Sequence, residues 1–323
     1  MQTIIGVDVG GTRLRAARYD LELKVLERIE QPTQADLGSE AVLERLYQII
    51  RDVLPEPPDT ATGIGVALPG PVDMGKGILI APPNLPLEDS PIASLVEQAV
   101  GGPVFIGNDA DLAGLAEHQM GAGRGTKNMI YITVSTGVGG GIIADGRIYA
   151  GRGQGGEIGH MVVWPDGPLC GCGKQGHLEA VSSGTGIARA ARERLEAGEP
   201  SAISDMAAGD LSQVTAELVG QAAADGDALA MSIITRAGHY LGIGIASLMM
   251  LFNPEMFVLG GGVSKLDNLL FDPMHKAIQE YTMHPRYWKN VPIVHAQLGD
   301  DVVLTGAAAL VKLSCVQPID VDD

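Results

Sequence analysis

Aromatic residues are scarce, 4% of 323 positions, which argues against the base-stacking platforms that hold single-stranded nucleic acid. Basic residues are few as well. Lysine and arginine total 22 against 39 aspartates and glutamates, a formal net charge of −17, so the long-range field opposes nucleic acid and anionic membrane surfaces. Long apolar runs are missing: the longest, Leu241 to Phe252, falls well short of the roughly 20 residues that a membrane span needs. The chain begins MQTIIGVDVGGT, with no basic stretch leading into an apolar one, and this is not the pattern of a secretory signal. Three cysteines, two of them in a Cys-Gly-Cys at 170–172, are too few for a disulfide framework and lean toward metal binding in a reducing compartment. The expected location is the cytoplasm, with no nucleic-acid or membrane partner.

Glycine, by contrast, is plentiful. The 44 glycines are roughly twice the ordinary share, a sign of tight turns and close backbone approaches. Apolar residues at 46% and charged ones at 19% describe a globular chain, long enough for two domains.

The glycines cluster where strands end. Ile4 to Val9 and Ile130 to Val134 are β-branched runs that stop at Asp8-Val9-Gly10-Gly11-Thr12 and Ser135-Thr136-Gly137-Val138-Gly139-Gly140-Gly141. Each is followed by a second apolar stretch, Leu14 to Tyr19 and Ile142 to Ala144, so each reads as a β-hairpin with a glycine-rich turn. Downstream the parallel continues. Ile64 to Leu68 ends in Pro-Gly-Pro and Phe257 to Leu259 in three glycines. Val104 to Ile106 leads into a helix near 110–120, and Ile293 to Ala296 into one near 304–313. Further helices are expected from Ser39, as cap, to Leu54, from Thr185 to Ala197 and from Ala228 to Phe252, while the proline-rich stretch 69–91 reads as a stiff loop. Two copies of one α/β unit facing across a cleft account for this pattern most simply. The border is expected near residue 115, giving a small lobe 1–115 joined by a C-terminal helix at 302–316, and a larger lobe 116–301.

A turn made almost wholly of glycine lets backbone N–H groups approach an anion without interference from Cβ. No GxxxxGK[ST] is present, and no GxGxxG joins a strand to a helix, so P-loop and dinucleotide-binding readings drop out. Asp8, at the end of a buried strand, needs a partner. A magnesium ion supplies one; a turn aspartate bonded to the amides of Gly10 and Gly11 is the alternative.

Six segments then carry a specific likeness: DVGGT at 8–12, GNDADLAGLAE at 107–117, STGVGGG at 135–141, GGEIGHM at 155–161, CGCGKQGHLEA at 170–180 and LGGGVS at 259–264. In this order they resemble the ROK family of sugar kinases and repressors, its bacterial ATP-dependent glucokinases in particular, over about Ile4 to Leu313. The resemblance implies an α/β chain with a duplicated actin-like, ribonuclease H-like (ASKHA) fold, two lobes around a cleft.

It also implies transfer of the ATP γ-phosphoryl group to the 6-hydroxyl of glucose. In that role Asp109 matches the catalytic base, although local sequence alone favours it as the cap of the helix that follows. Asn108, Asp109, Glu157, His160 and Glu179 match the sugar contacts, with Asn84 as a weaker candidate. Asp8, Gly10, Gly11, Thr12, Ser135, Thr136, Gly137, Gly139, Gly261 and Gly262 fall to MgATP, and Gly184 and Thr185 flank it. His160, Cys170, Cys172 and position 177 match a structural zinc site whose usual ligands are one histidine and three cysteines. Position 177 is histidine here, and two cysteines with two histidines also form a common tetrahedral set. A homodimer or higher homo-oligomer is expected. The alternatives are a kinase for fructose, mannose or an N-acetylhexosamine and, as a different class, a sugar-responsive regulator without catalysis. Against a repressor stands the first phosphate motif, which begins at Ile4 and leaves no room for a DNA-reading helix pair ahead of it.

Overall fold

The computed structural model describes residues 1–316. The first repeat contains β1 (Gln2–Val9), β2 (Arg13–Tyr19), β3 (Val25–Pro32), α1 (Ser39–Val53), β4 (Thr60–Leu68), a short hairpin of β5 (Val72–Asp73) and β6 (Ile78–Leu79), α2 (Ile92–Val100), β7 (Val104–Asn108) and α3 (Asp109–Met120). Its sheet has the order β3-β2-β1-β4-β7. The first three strands form an antiparallel meander, and β4 and β7 run parallel to β1.

The second repeat opens with β8 (Met129–Val134), β9 (Val138–Ala144) and β10 (Arg147–Ile148). It continues through α4 (Leu178–Ser182), α5 (Gly184–Glu196), α6 (Ala202–Met206), α7 (Ala216–Ala224), α8 (Ala228–Phe252), β11 (Met256–Gly260), α9 (Asn268–Tyr281), β12 (Ile293–His295) and α10 (Val302–Val311). The order β10-β9-β8-β11-β12 repeats that of the first sheet, third-second-first-fourth-fifth. The duplication that the sequence pattern predicts is present, in the actin-like α/β architecture that the family resemblance implies.

The chain divides into two compact units. Unit 1 holds residues 1–127, 141–156 and 296–316, and unit 2 holds 128–140 and 157–295. The division thus lies at 127/128 rather than near 115, and β9 passes from one unit to the other between Gly140 and Gly141.

In unit 1 the central strands are covered on both faces, so β1 reads as an unbroken apolar run, buried from Thr3 to Val9. Helix α1 covers one face with Val42, Leu46, Ile49, Ile50 and Val53, a stripe at helical spacing. On the other side α10 packs against β1, β4 and α3. Its approach is close: a Cβ built on Gly65 of β4 would lie 1.9 Å from the carbonyl oxygen of Ala307. Only glycine lets helix and strand backbones come together there.

Buried Glu117 ties α3 to the segment before α10. One carboxylate oxygen accepts the amides of Gln297 and Leu298 at 2.8 and 2.9 Å, and the other accepts that of Ala122 at 2.8 Å. Three charge-assisted bonds stabilise an anion that would otherwise be costly to bury.

Three local expectations are corrected. The stretch 69–91 is not a plain loop, because β5 and β6 pair within it. Ser39 is the first residue of α1 rather than its cap, and Gly38 occupies the cap with φ 92°. The last helix ends at Val311 and continues as a wider π turn over Lys312–Val316. Among the described residues no helix is long and apolar enough to cross a membrane.

Replacing Gly65 with alanine forces a methyl group into the α10 backbone and is expected to destabilise the protein by about 3 kcal/mol in urea unfolding. Gly75 serves as the control, its nearest neighbour for an added Cβ being Asp73 Oδ1 at 3.6 Å; Gly75→Ala is expected to stay within about 0.5 kcal/mol of the parent.

Candidate functional site

In unit 1 the predicted residues gather at the ends of β1 and β7. The turn after β1 closes through Gly10 N–H to Arg13 O at 2.9 Å, and the Gly10 carbonyl accepts the Thr33 hydroxyl at 2.6 Å. The Gly10 amide is therefore spent inside the hairpin, and Gly11 and Thr12 are the donors to consider for an anion. Asn84 backs directly onto Gly11, so this exposed loop residue does reach the turn.

Asp8 sits across from Arg15 in the β1–β2 register. The Arg15 guanidinium bonds to one carboxylate oxygen, Oδ2, through Nε at 3.0 Å and through a terminal nitrogen. Arg15 in turn donates to the Asp300 carbonyl at 2.7 Å. Neither the amides of Gly10 and Gly11 nor an ion is needed to explain Asp8. Burial pushes its carboxyl above the ordinary range, and the neighbouring Arg15 opposes that rise. Both contacts fall on Oδ2, so Oδ1 is the atom by which Asp8 could hold a hydrated magnesium ion. Arg15 escaped the sequence reading, although counting outward from the hairpin turn pairs the two residues.

At the end of β7 the cap of α3 falls to Asn108, whose backbone is extended at φ −65° and ψ 142°. Its Oδ1 accepts the amides of Ala110 at 2.9 Å and Asp111 at 3.3 Å, and its Nδ2 donates to the Gly70 carbonyl at 3.0 Å. Capping leaves Asn108 one amide hydrogen beyond these bonds. Asp109 is the first residue of the helix. Its Oδ1 accepts the Ala110 amide at 2.8 Å, and it stands at the positive end of the helix dipole.

In unit 2 three glycine-bearing segments converge. The turn after β8 is only Ser135–Gly137, because β9 begins at Val138 and takes in Gly139, Gly140 and Gly141. Gly139 therefore belongs to a strand, not to the turn. Ser135 N–H closes the turn on the Gly137 carbonyl at 2.9 Å, which points to Thr136 and Gly137 as the amides facing outward. Against this turn lies the start of α5: Gly184 N–H donates to Ser135 O at 2.7 Å, and the Thr185 hydroxyl donates to Thr136 O at 2.8 Å. The third segment follows β11. Gly261 has φ 86° and is pressed against the backbone of Val134, whereas a Cβ on Gly262 would meet nothing within 4 Å. The arrangement is a bed of backbone with one open side, suited to a nucleotide and its phosphates.

Beside this bed His160, Cys170, Cys172 and His177 bring one donor atom each within 4.8 Å of one another. The two Nδ1 atoms are 3.2 Å apart, Cys172 Sγ is 3.2 Å from His177 Nδ1, and Cys170 Sγ is 3.8 Å from His160 Nδ1. Tetrahedral zinc with ordinary bond lengths requires roughly 3.3 Å between two nitrogens and roughly 3.6 Å between nitrogen and sulfur, so the donor set fits that ion. Burial beside His160 lowers the His177 pKa, which favours the neutral ring a metal needs. Burial also pushes the Cys170 thiol up to about 11, so metal binding must displace its proton. The loop that carries the cysteines docks on α8 by Trp164, stacked on Tyr240 with ring centroids 5.0 Å apart.

Of the predicted sugar residues, His160 belongs to this cluster and Glu157 and Glu179 stand beside it. His160 turns Nδ1 toward the cluster and Nε2 toward Glu157, whose Oε2 is 3.9 Å away. Glu179 follows His177 by two residues. Its Oε1 lies 3.4 Å from Cys170 Sγ, and its Oε2 accepts the Val138 amide at 3.0 Å. No local sequence signal announces that last bond, which spans 41 positions.

Comparison with known proteins places the chain in a family. The ROK family profile matches residues 4–314. A glucokinase of Thermotoga maritima is 34% identical, with 96% of this chain and 97% of that protein aligned. The crystal structure of a ROK family glucokinase from Streptomyces griseus in complex with glucose and AMPPNP superposes with a TM-score of 0.78 at 33% identity, covering 95% of this chain and 98% of that one. A ROK family transcriptional regulator, a homolog of the E. coli MLC protein, superposes with a TM-score of 0.85 at 30% identity, covering 98% of this chain and 79% of that one. With the profile spanning nearly its whole length, this chain belongs to the ROK family.

Proposed function

We propose that the protein is an ATP-dependent hexose kinase that transfers the γ-phosphoryl group of ATP to the 6-hydroxyl of glucose, releasing glucose 6-phosphate and ADP. The observation that carries this reading is the division of labour at the start of α3. Asn108 takes the cap, so the helix does not depend on Asp109 for that role, and Asp109 is the carboxylate that accepts the proton of the attacking hydroxyl. The similarity to the Streptomyces griseus glucokinase with its glucose and AMPPNP supports the kinase reading.

In this reading the amides of Thr136 and Gly137 bind phosphate oxygens, and Gly262 marks the open side at which the nucleoside lies. Gly11 and Thr12 provide the corresponding donors in unit 1. A magnesium ion on the nucleotide, when bound, offsets the charge of the phosphates during transfer, and Asp8 Oδ1 is the atom placed to hold its hydration shell. Glu157, His160 Nε2 and Glu179 accept or donate to sugar hydroxyls, whose paired donor and acceptor character suits carboxylates and one imidazole.

Zinc has a positioning role here. His160 supplies both a cluster nitrogen and a sugar-facing nitrogen, so a bound metal fixes the ring and its tautomer. A metal-bound Cys170 carries no proton to donate, and Glu179 Oε1 is then the oxygen turned to a hydroxyl.

The decisive experiment is a coupled assay of the purified protein with glucose, fructose, mannose and N-acetylhexosamines against ATP, ADP and polyphosphate. Glucose with ATP is expected to give the highest kcat/KM, and Asp109→Asn to lower kcat roughly 100- to 10,000-fold while glucose still binds. Near-parental turnover in that variant removes Asp109 from the base role. If every hexose and donor is inactive while glucose binds, the chain is a sugar-responsive regulator instead. For the metal, elemental analysis is expected to find about one zinc per chain in the parent and in His177→Cys, and little in Cys172→Ser; Cys172→Ser is also expected to raise the glucose KM far more than the ATP KM. Full metal content with unchanged glucose KM in that variant contradicts the positioning role.

A further inference from the structure

Glu179 meets the nucleotide bed as well as the sugar-binding arm. Its Oε2 accepts the Val138 amide at 3.0 Å, and a Cβ added to Gly137 would lie 2.4 Å from that same oxygen. The carboxylate thus rests directly on the turn whose outward amides are assigned to phosphate. The helix that follows its own grips the same turn from behind: the Glu179 carbonyl accepts the Ser183 amide at 3.2 Å, and Ser183 caps α5, where Gly184 and Thr185 bond to the carbonyls of Ser135 and Thr136. Displacing the Glu179 side chain therefore removes a charge-assisted bond from the end of the turn. It leaves the backbone grip at Gly184 and Thr185 in place.

We infer that Glu179 is a positioning residue for the nucleotide-binding turn in addition to its part in sugar recognition, and that it couples the two substrate sites. The inference rests on the kinase reading above. Sugar that engages Oε1 orders the carboxylate, and an ordered carboxylate holds Val138 and hence the amides of Thr136 and Gly137. A phosphate on those amides stiffens the turn against which Glu179 rests. Coupling of this kind is reciprocal, since each ligand must change the affinity for the other by the same factor.

The test crosses variants with ligands. Zinc-loaded protein is titrated calorimetrically with Mg-AMPPNP in the absence of sugar, and with glucose in the absence of nucleotide. Glu179→Gln keeps the size of the side chain but loses its charge, and it is expected to weaken sugar-free AMPPNP binding roughly 5- to 10-fold. Gly137→Ala places a methyl group against Oε2 from the side of the turn, away from Oε1, Glu157 and His160, and it is expected to weaken nucleotide-free glucose binding by a similar factor. In the double variant the penalties should not add, because both act on one contact. A residue that serves the sugar alone would leave AMPPNP affinity within twofold of the parent in Glu179→Gln, and that result overturns the inference while leaving the kinase reading intact. A parent protein that binds neither ligand overturns both. Should Glu179→Gln fail to fold, Glu179→Asp, which keeps the charge but shortens the reach to the Val138 amide, takes its place with the same two outcomes for AMPPNP affinity.

Discussion

Asn108 holds the first turn of α3 from both sides, by accepting two helix amides and by donating to the Gly70 carbonyl. Much of unit 1 follows from that anchor. It fixes Asp109 at the first helical position, directly beyond the end of β7. At the far end of the same helix Glu117 binds the amides of Gln297 and Leu298, which sets where α10 begins. Helix α10 then lies so close to β4 that residue 65 has no room for a Cβ. A carboxylate assigned to proton transfer is in this way placed by backbone contacts rather than by a flexible loop, as positioning within a fraction of an ångström requires.

Unit 2 obtains rigidity differently. The residues assigned to the sugar stand on a loop and a five-residue helix, and the loop is pinned by Trp164 against Tyr240 and carries four donor atoms at a spacing that suits zinc. Exchanging a cysteine for His177 preserves the donor count, and both histidines present Nδ1, the nitrogen nearer the backbone. That choice leaves Nε2 of His160 directed at Glu157. The glycine-rich bed assigned to the nucleotide, by contrast, is made of backbone, and Glu179 joins it to the cysteine-bearing loop through Val138 and Cys170.

The sequence pattern made some of this legible and hid the rest for physical reasons. The β-branched runs at Ile4–Val9 and Ile130–Val134, each closed by glycines, revealed the duplication, since buried strands and tight turns restrict residue choice strongly. The grouping of His160, Cys170, Cys172 and His177 was legible through the family resemblance, and the structure brings one donor atom of each within 4.8 Å of the others. The cap of α3 was not, because Asn108 and Asp109 are both good capping residues and only the extended backbone of Asn108 decides between them. Two-residue strands such as β5 and β6 carry no periodicity to detect, and Pro273 inside α9 masks a helix that packing on α8 enforces. Asp8 with Arg15 was open to hairpin arithmetic. Glu179 with Val138 was not, being a contact that only the tertiary fold creates.

The central claim is phosphoryl transfer to a sugar hydroxyl, and ³¹P NMR of the purified protein with equimolar MgATP and glucose tests it most directly. The account predicts that the γ-phosphate signal decays as a sugar phosphomonoester signal grows in equal amount, with ADP as the other product. Inorganic phosphate as the sole product, or a spectrum that does not change, would contradict it.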